Sequence, residues 1–307
     1  MFVRNGVTIH SLSRRCPPRE IPYGLLVGSS YLETAMIDGT ERYHSLAIRG
    51  DQRRGIGSKK GKRKIPRRLL ISLPVHNEAQ ILENAVKAVH SALRRQSLFT
   101  YRILVIDDGS TDGTGVIADS LSHAYPELNV VHFAKRLGRG ASIREAWMME
   151  HADIYAYIDC DLATDMVHLG QLLRAIFDGY DLATGSRYLR GSVVRRPFLR
   201  WFVSIAYNLL VRLLFRDGVR DHQCGFKAFS MRLIDEVLPL TRSNHWFWDT
   251  EIIVLATRRG FKVKELGVIW QERRYARTRL ARLIHDIAEH SLDLLRLCMR
   301  LEKSEIR

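Results

Sequence analysis

Residues 102–114 read Arg102-Ile103-Leu104-Val105-Ile106-Asp107-Asp108-Gly109-Ser110-Thr111-Asp112-Gly113-Thr114. The short apolar run is typical of a buried strand, and an acidic, glycine-containing turn follows it directly. Carboxylates at a strand end can accept hydrogen bonds from a base or a ribose, and the glycines let the backbone approach a ligand closely. The alternative is a plain turn that caps the next helix.

The same alternation of strand and helix recurs on both sides of this motif. The apolar patterns predict strands at residues 69–73, 102–106, 130–133, 154–158 and 181–184. They predict helices at residues 78–94, 115–124, 141–150 and 166–177. This spacing indicates an α/β fold with a mostly parallel sheet, in which ligands bind beyond the carboxyl ends of the strands.

A second acidic motif, Asp159-Cys160-Asp161, follows the predicted strand 154–158. Two carboxylates one residue apart beyond a buried strand are costly unless a cation compensates them. A hard divalent cation that is shared with a diphosphate would do so, since such ions prefer oxygen ligands. The sequence therefore predicts Mg²⁺ or Mn²⁺ at Asp159 and Asp161.

These two motifs and Leu73-Pro74-Val75-His76-Asn77-Glu78 together resemble the family 2 inverting nucleotide-sugar glycosyltransferases. That family has the GT-A fold, a Rossmann-like, mostly parallel sheet flanked by helices, here with C-terminal amphipathic helices. His76 stands where the family usually has an aromatic residue. The resemblance implies that the nucleotide sugar is bound by Pro74, His76, Glu78, Asp107, Asp108, Gly138, Arg139, Arg144, Asp159 and Cys160.

Further motifs narrow the branch within residues 68–272. Asp221-His222-Gln223-Cys224-Gly225-Phe226-Lys227 looks like the Asp-Thr-Gln-Cys-Gly-Phe-Lys of dolichyl-phosphate glucosyltransferases. The loop 138–144, Gly185-Ser186-Arg187-Tyr188 and Phe247-Trp248-Asp249-Thr250-Glu251 also resemble family motifs. Ala163 stands where the mannose branch usually has Gln. The donor expected from the resemblance is UDP-glucose, with GDP-mannose as the alternative.

The resemblance implies in-line displacement with inversion onto a dolichyl or polyprenyl phosphate. The residues expected to act in catalysis are Asp161, Arg187, Lys227 and Asp249. Because a phosphate acceptor is already anionic, it needs cationic groups more than a base, and we expect Arg187, Gln223 and Lys227 to bind it. If the acceptor is a glycan hydroxyl instead, Asp249 is the expected base.

The net charge of the chain is +15, and it is distributed unevenly. Residues 1–66 hold 13 Lys/Arg against 5 Asp/Glu and are expected to form a largely disordered basic extension. Residues 67–275 are expected to form the GT-A domain. The charge indicates a polyanionic partner, either an anionic membrane surface or a phosphorylated substrate. A nucleic-acid-binding protein would explain the charge, but not two acidic motifs that repel phosphate.

Residues 198–215 contain 14 apolar residues out of 18, with Arg200, Ser204, Asn208 and Arg212 as the polar positions. The segment 198–216 is either a buried core helix or a helix in the membrane interface, and we favour the interface. Residues 276–307 contain a second amphipathic helix, at about 279–301. Four separated cysteines and the lack of an apolar leader favour a cytoplasmic protein, peripherally bound to the cytoplasmic face of a membrane.

Overall fold

The computed structural model describes residues 2–4, 7–10, 67–96, 99–273 and 280–302. Residues 20–65 lie outside the described residues. Most of the extension that we expect to be disordered therefore lies outside the described residues as well, including its basic run at 58–66.

The described strands and helices follow one another in the predicted alternation. The strands are β1 Phe2–Arg4, β2 Val7–His10, β3 Arg67–Val75, β4 Phe99–Asp107, β5 Leu128–Phe133, β6 Ile154–Ile158, β7 Leu182–Ser186, β8 Val193–Arg195, β9 Phe226–Ser230, β10 Val263–Gly267 and β11 Ile269–Gln271. The α-helices are α1 Leu82–Arg94, α2 Thr114–Ala124, α3 Arg139–Met148, α4 Leu169–Phe177, α5 Phe198–Phe215, α6 Met231–Val237, α7 Trp248–Arg258 and α8 Leu280–Glu302. Short 3₁₀ helices lie at Met166–His168 and Leu238–Leu240.

One sheet organises the domain, with strand order β1-β2-β5-β4-β3-β6-β9-β7-β10. Strands β5, β4, β3 and β6 are parallel neighbours, and β7 is parallel to β10. Strand β9 lies between β6 and β7 and is antiparallel to both. The predicted mostly parallel, helix-flanked sheet is thus confirmed. The antiparallel pair β1–β2 extends the edge at β5 and lies within the stretch 1–66.

The core has two layers because alternate residues of a strand point to opposite faces of the sheet. In β3, Leu69 and Ile71 pack on the face covered by α1, α2 and α4. Leu70 packs on the other face, with residues of α3 and α7. Ser72 also faces that side and accepts a hydrogen bond from the Trp147 indole N–H at 2.8 Å. Both layers fix the strands whose ends carry the acidic motifs.

Strand β3 is longer than the sequence predicts. The apolar run suggests a stop at Pro74, whereas β3 continues to Val75. Pairing with β6 covers only Leu69–Ser72, while pairing with β4 continues to Val75 opposite Asp107. Since Pro74 lies beyond the β6 pairing, its missing N–H removes no hydrogen bond from that side of the sheet. The longer strand carries the chain directly to His76.

Candidate active site

The predicted motifs meet at one edge of the sheet, where β4, β3 and β6 lie side by side. Parallel strands bring their carboxyl ends to the same edge, so motifs far apart in sequence surround a single cleft. The cleft is lined by Pro74, Val75, His76, Glu78, Asp108, Arg136, Arg139, Ser142, Asp159, Cys160, His245 and Trp246. Of the residues predicted to bind the nucleotide sugar, Asp107, Gly138 and Arg144 are not in this lining.

Asp107 lies behind the turn, where its carboxylate supports the fold of the motif. It is buried, and its Oδ2 lies 2.9 Å from Nδ1 of His132, whose Nε2 lies 3.0 Å from Asp119. The Ser110 N–H donates to the other carboxylate oxygen at 3.1 Å. Burial opposes ionisation of Asp107, but the hydrogen bonds from His132 and Ser110 outweigh it and lower its pKa. Asp107 therefore shapes the turn that presents Asp108.

Asp108 connects the turn to the segment before α3. Its carboxylate accepts hydrogen bonds from the N–H groups of Leu137 and Gly138, at 2.6 and 2.9 Å. Its backbone carbonyl lies 2.8 Å from Nδ1 of His76. Because a carbonyl can only accept, Nδ1 of His76 carries the proton. The imidazole is thereby fixed in orientation on the cleft wall.

A loop at residues 241–246, which we call the cleft loop, covers the start of α3. The Ala141 N–H donates to the carbonyl of Asn244 at 3.0 Å. Arg144 donates to the carbonyls of Thr241 and Ser243, at 3.4 and 3.3 Å. At Gly138, whose φ is +99°, an added Cβ would lie 2.5 Å from the Asn244 carbonyl oxygen. Gly138 and Arg144 therefore act on the cleft loop in this structure.

Arg139 occupies the centre of the cleft. Its Nη1 lies 2.7 Å from Oδ1 of Asp159, and its Nη2 pairs with Asp249. The guanidinium carbon lies 4.1 Å from the centroid of the Trp246 ring, within the range of a cation–π contact. Arg139 thus provides a positive charge between two carboxylates in the cleft.

The oxygen ligands predicted for a metal are present at the end of β6. The described residues contain no cluster of three or more His, Cys, Asp or Glu side chains that could hold a metal alone. Mg²⁺ is commonly held by one or two carboxylates together with substrate phosphates, so Asp159 and Asp161 fit a metal that arrives with the donor. Gly225 packs against Asp159, where an added Cβ would lie 1.8 Å from Oδ2.

Lys227 and Asp249 form a buried ion pair beneath the cleft. Both side chains are 0% exposed, and Nζ lies 2.9 Å from Oδ1 of Asp249. The Tyr157 hydroxyl donates to the same carboxylate. Burial lowers the pKa of Lys227 to about 7. The prediction that Lys227 contacts an acceptor phosphate does not fit this placement, because the side chain is fully buried where it pairs with Asp249 of α7.

Arg187 follows β7 and is tied to the motif at 221–227. Its Nε and Nη2 lie 2.7 and 2.8 Å from the two carboxylate oxygens of Asp221. Burial alone would lower the pKa of Arg187, but the Asp221 charge outweighs it and raises that pKa. Arg187 also borders a cavity under α5, lined by Arg187, Tyr188, Leu189, Trp201, Ile205, Asn208, Leu209, Arg212 and Arg220.

Gln223, the third residue predicted to bind an acceptor, points towards the C-terminal helix. Its Nε2 lies 3.0 Å from Nε2 of His290 in α8. The His290 ring also lies 5.3 Å from the ring of Tyr207 in α5. Gln223 therefore links the acceptor motif to α5 and α8, and it does not line either cavity described above.

Helix α5 buries Ser204, Asn208, Val211 and Phe215, and most of its other apolar residues are exposed. Ser204 accepts from the Tyr188 hydroxyl at 2.6 Å, and Asn208 accepts from the His222 N–H at 2.8 Å. Phe202 and Leu213, in contrast, are 58% and 67% exposed. Among the described residues, α5 is the one helix long and apolar enough to cross a membrane by length and composition, yet only 22% of it is buried. The core-helix alternative is therefore wrong.

Several residues of the site escaped prediction from the sequence. Trp246 and His245 were not singled out, although both line the cleft. Tyr157 looked like an ordinary strand residue, and nothing in its local pattern shows that it contacts Asp249. Asp221 is the acidic residue of the motif at 221–227. Its presence in that motif is the sequence signal for an ionic partner of Arg187.

Comparison with known proteins agrees with this geometry. The sheet and cleft define an α/β enzyme of the GT-A class. The model of the family described as glycosyl transferase family 2 matches residues 71–238. The chain belongs to this family and is a glycosyltransferase.

The sequence matches to the relatives cover most of the described domain. The chain is 42% identical over 203 residues to glycosyltransferase AglD of Haloferax volcanii, covering 66% of this chain but only 32% of AglD. It is 30% identical to polyprenol monophosphomannose synthase of Mycolicibacterium smegmatis, covering 74% of this chain and 86% of the relative. It is 26% identical to dolichyl-phosphate beta-glucosyltransferase ALG5C of Trichomonas vaginalis, covering 65% and 63%.

A solved structure shares the fold. Glucosyl-3-phosphoglycerate synthase from Mycobacterium tuberculosis, in complex with Mn²⁺, UDP and phosphoglyceric acid, superposes with a TM-score of 0.57. The sequences are 20% identical, and the match covers 76% of this chain and 78% of that one.

Proposed function

We propose that the chain transfers a hexose from a nucleotide sugar to a dolichyl or polyprenyl phosphate with inversion, giving a lipid-phosphate-linked sugar. UDP-glucose is the favoured donor and GDP-mannose the alternative. The observation that carries the proposal is the cavity under α5, which joins arginines to an apolar wall. Relatives are named for both lipid-phosphate glucosyl and mannosyl transfer.

The cavity suits an acceptor that is anionic at one end and apolar at the other. Arg187, Arg212 and Arg220 supply positive charge, and Trp201 and Leu209 supply apolar surface. Arginine binds phosphate through several N–H donors in one plane, so it suits a phosphate better than a neutral sugar. Apolar surface next to those donors stabilises the first isoprene units of a lipid. In this arrangement Arg187 binds the acceptor while Asp221 holds its guanidinium in place.

The state of Asp249 argues against a hydroxyl acceptor. A general base must lie within hydrogen-bond reach of the proton that it removes. The Asp249 carboxylate is 0% exposed and is engaged by Lys227, Tyr157 and Arg139. A phosphate acceptor is already ionised near neutral pH and needs no base. Asp249 and Lys227 then serve to hold Arg139 and the floor of the cleft.

The donor would be held at the carboxyl ends of β3, β4 and β6. His76 and Glu78 on the cleft wall contact the nucleoside, and Arg139 contacts the diphosphate. Mg²⁺ or Mn²⁺, held by Asp159 and Asp161, would offset the charge that develops on the departing nucleoside diphosphate. Arg139 adds a second positive charge on the same side, and the Trp246 ring lies against its guanidinium.

The exposed face of α5 is proposed to lie in a membrane interface on the cytoplasmic side. A face that includes Phe202 and Leu213 is unfavourable in water, and the net charge of +15 favours an anionic surface. Helix α8 adds exposed Leu292, Leu295 and Met299. A lipid acceptor already resides in such a membrane, so the enzyme and its substrate would meet there. No nucleic-acid partner is proposed.

The direct test combines donors with one defined acceptor. Purified chain in anionic vesicles that contain polyprenyl phosphate is given UDP-glucose or GDP-mannose with Mg²⁺, and the lipid fraction is analysed by mass spectrometry. We expect glucosyl-phosphate-lipid from UDP-glucose. Formation of mannosyl-phosphate-lipid alone would assign GDP-mannose as the donor and leave polyprenyl phosphate as the acceptor. Release of sugar to water, without any lipid-linked product from either donor, would refute the proposed function.

A further inference from the structure

The C-terminal helix α8 is connected to the cleft loop through Glu251 of α7. Arg300 Nη1 lies 2.5 Å from Oε1 of Glu251, and Arg300 Nη2 lies 2.7 Å from the carbonyl of Leu240. The carboxylate of Glu251 also accepts the N–H of Arg242, at 3.0 Å, and of Ser243, at 2.8 Å. Arg300 therefore holds the residue just before the loop and, through Glu251, its first half.

The other half of the cleft loop forms part of the donor cleft. Trp246 and His245 are in its lining, and the Trp246 ring lies against the guanidinium of Arg139. Trp246 itself is half exposed. The loop is held at its start by the Trp248 indole N–H, which donates to the Thr241 hydroxyl at 3.2 Å. Arg144 of α3 contacts the loop from one side, and Glu251 contacts it from the other.

We propose that Arg300 is a positioning residue for donor binding, acting through Glu251 on the cleft loop and so on Trp246 and Arg139. The family match ends at residue 238, so both partners of this ion pair lie beyond it. Helix α8 then contributes to the donor site as well as to the surface of the protein. The inference rests on the donor cleft of the proposed function, but it does not depend on the acceptor.

The test measures nucleotide affinity in the full chain. Arg300→Met keeps the length of the side chain and removes its charge, and UDP and GDP are titrated with Mn²⁺ by calorimetry. We expect about tenfold weaker binding of whichever nucleotide the unmodified chain binds. Arg296→Met is the matched control, because Arg296 lies one turn away on α8, is 68% exposed and pairs only with Asp293 among the contacts of the described residues. It should change affinity by less than about twofold.

A double-mutant cycle separates positioning from general loss of stability. Arg300 and Trp246 are not in contact, so their effects add if Arg300 matters only for folding. If Arg300 acts through the loop, Arg300→Met has little further effect in a Trp246→Ala background. Should Arg300→Met fail to fold, Arg300→Lys is used, and intermediate weakening is expected because the cation is kept and the second contact is lost.

The outcomes are distinct. Unchanged affinity in folded Arg300→Met or Arg300→Lys, equal weakening by Arg296→Met, or additivity with Trp246→Ala would overturn the inference and leave the proposed function intact. If the unmodified chain binds neither UDP nor GDP, the proposed donor site fails, and the role of Arg300 fails with it.

Discussion

Gly225 lies so close to Asp159 that no side chain fits between them. An added Cβ would lie 1.8 Å from one carboxylate oxygen and 2.6 Å from the other, and the Asp159 N–H donates to the Gly225 carbonyl at 2.9 Å. The glycine that precedes β9 therefore sets the position of Asp159, the proposed metal ligand that directly follows β6. Gly225 belongs to the motif at 221–227 and lies 66 residues after Asp159 in the sequence.

Substitution of this glycine should displace the carboxylate and leave the sheet intact. We expect Gly225→Ala to weaken Mn²⁺-dependent binding of the donor by about 10- to 100-fold, because groups that orient a metal ligand contribute this much. Gly267→Ala is the control, since its added Cβ would lie 3.2 Å from the Ser192 hydroxyl and 3.7 Å from the Arg190 carbonyl oxygen, with no carboxylate among these neighbours. Calorimetric titration of both variants with Mn²⁺ and nucleotide checks this. Equal affinities of Gly225→Ala and Gly267→Ala for these ligands would contradict it.

Turnover should require a divalent cation. Asp161→Ala removes one of the two proposed ligands, and we expect kcat/KM to fall by about 10²-fold or more, as when a group that stabilises the transition state is lost. Circular dichroism should show an unchanged fold. The assay is sugar transfer with Mg²⁺, with Mn²⁺ and in excess EDTA. Full activity in excess EDTA would show that turnover does not require a divalent cation.

The hydrogen-bonded series Asp107, His132 and Asp119 should make stability depend on pH. Hydrogen bonding to Asp107 raises the pKa of His132 above 6.5. A histidine whose pKa is higher in the folded than in the unfolded state stabilises the folded protein. This stabilisation is complete below the unfolded-state pKa and is lost as the pH rises through the folded-state pKa. His132→Asn should therefore lose more free energy of unfolding at pH 5.5 than at pH 8.5.

Urea unfolding of both proteins at the two pH values measures this difference. His123→Asn is the control, because His123 is exposed and its ring nitrogen lies 2.7 Å from the backbone carbonyl of Asp119 and not from a carboxylate. A larger loss at pH 8.5 than at pH 5.5 would show that His132 is neutral in the folded protein.

Membrane association should depend on the outward face of α5. We expect Phe202→Ser combined with Leu213→Ser to weaken binding to anionic vesicles by at least about tenfold, because each buried apolar side chain contributes about 1.5–3 kcal/mol. Both residues are exposed, so the melting temperature should not fall. Val116→Ser, at an equally exposed position on α2, is the control. Unchanged sedimentation with vesicles would place the membrane contact elsewhere.

Sequence reasoning located the cleft because parallel topology makes strand ends converge. The periodic runs before Asp107 and Asp159 predict strands, and adjacent parallel strands place the residues after them at one edge. The helix at 198–215 was predicted with the same bounds, because its apolar content is continuous and Pro197 precedes it. These features depend on local pattern, which the sequence displays directly.

The failures concern contacts between distant segments. Lys227 lies in a motif, but its burial follows from the insertion of antiparallel β9 between β6 and β7, which alternation alone does not predict. The pairing of Arg187 with Asp221 and of Glu251 with Arg300 joins residues 34 and 49 positions apart. Such pairs depend on tertiary packing, so propensity and spacing cannot assign them.

The central claim is that the acceptor is a lipid phosphate. The measurement that tests it most directly is kcat/KM with polyprenyl phosphate and with the matching polyprenol, in the same vesicles and with the same donor. We predict turnover with the phosphate and at least about 10²-fold less with the alcohol, since Asp249, the base expected for a hydroxyl acceptor, is held by Lys227, Tyr157 and Arg139. Arg187→Ala should lower the value for the phosphate by about 10- to 150-fold. Equal use of polyprenol would contradict the account and assign a hydroxyl acceptor to this cleft.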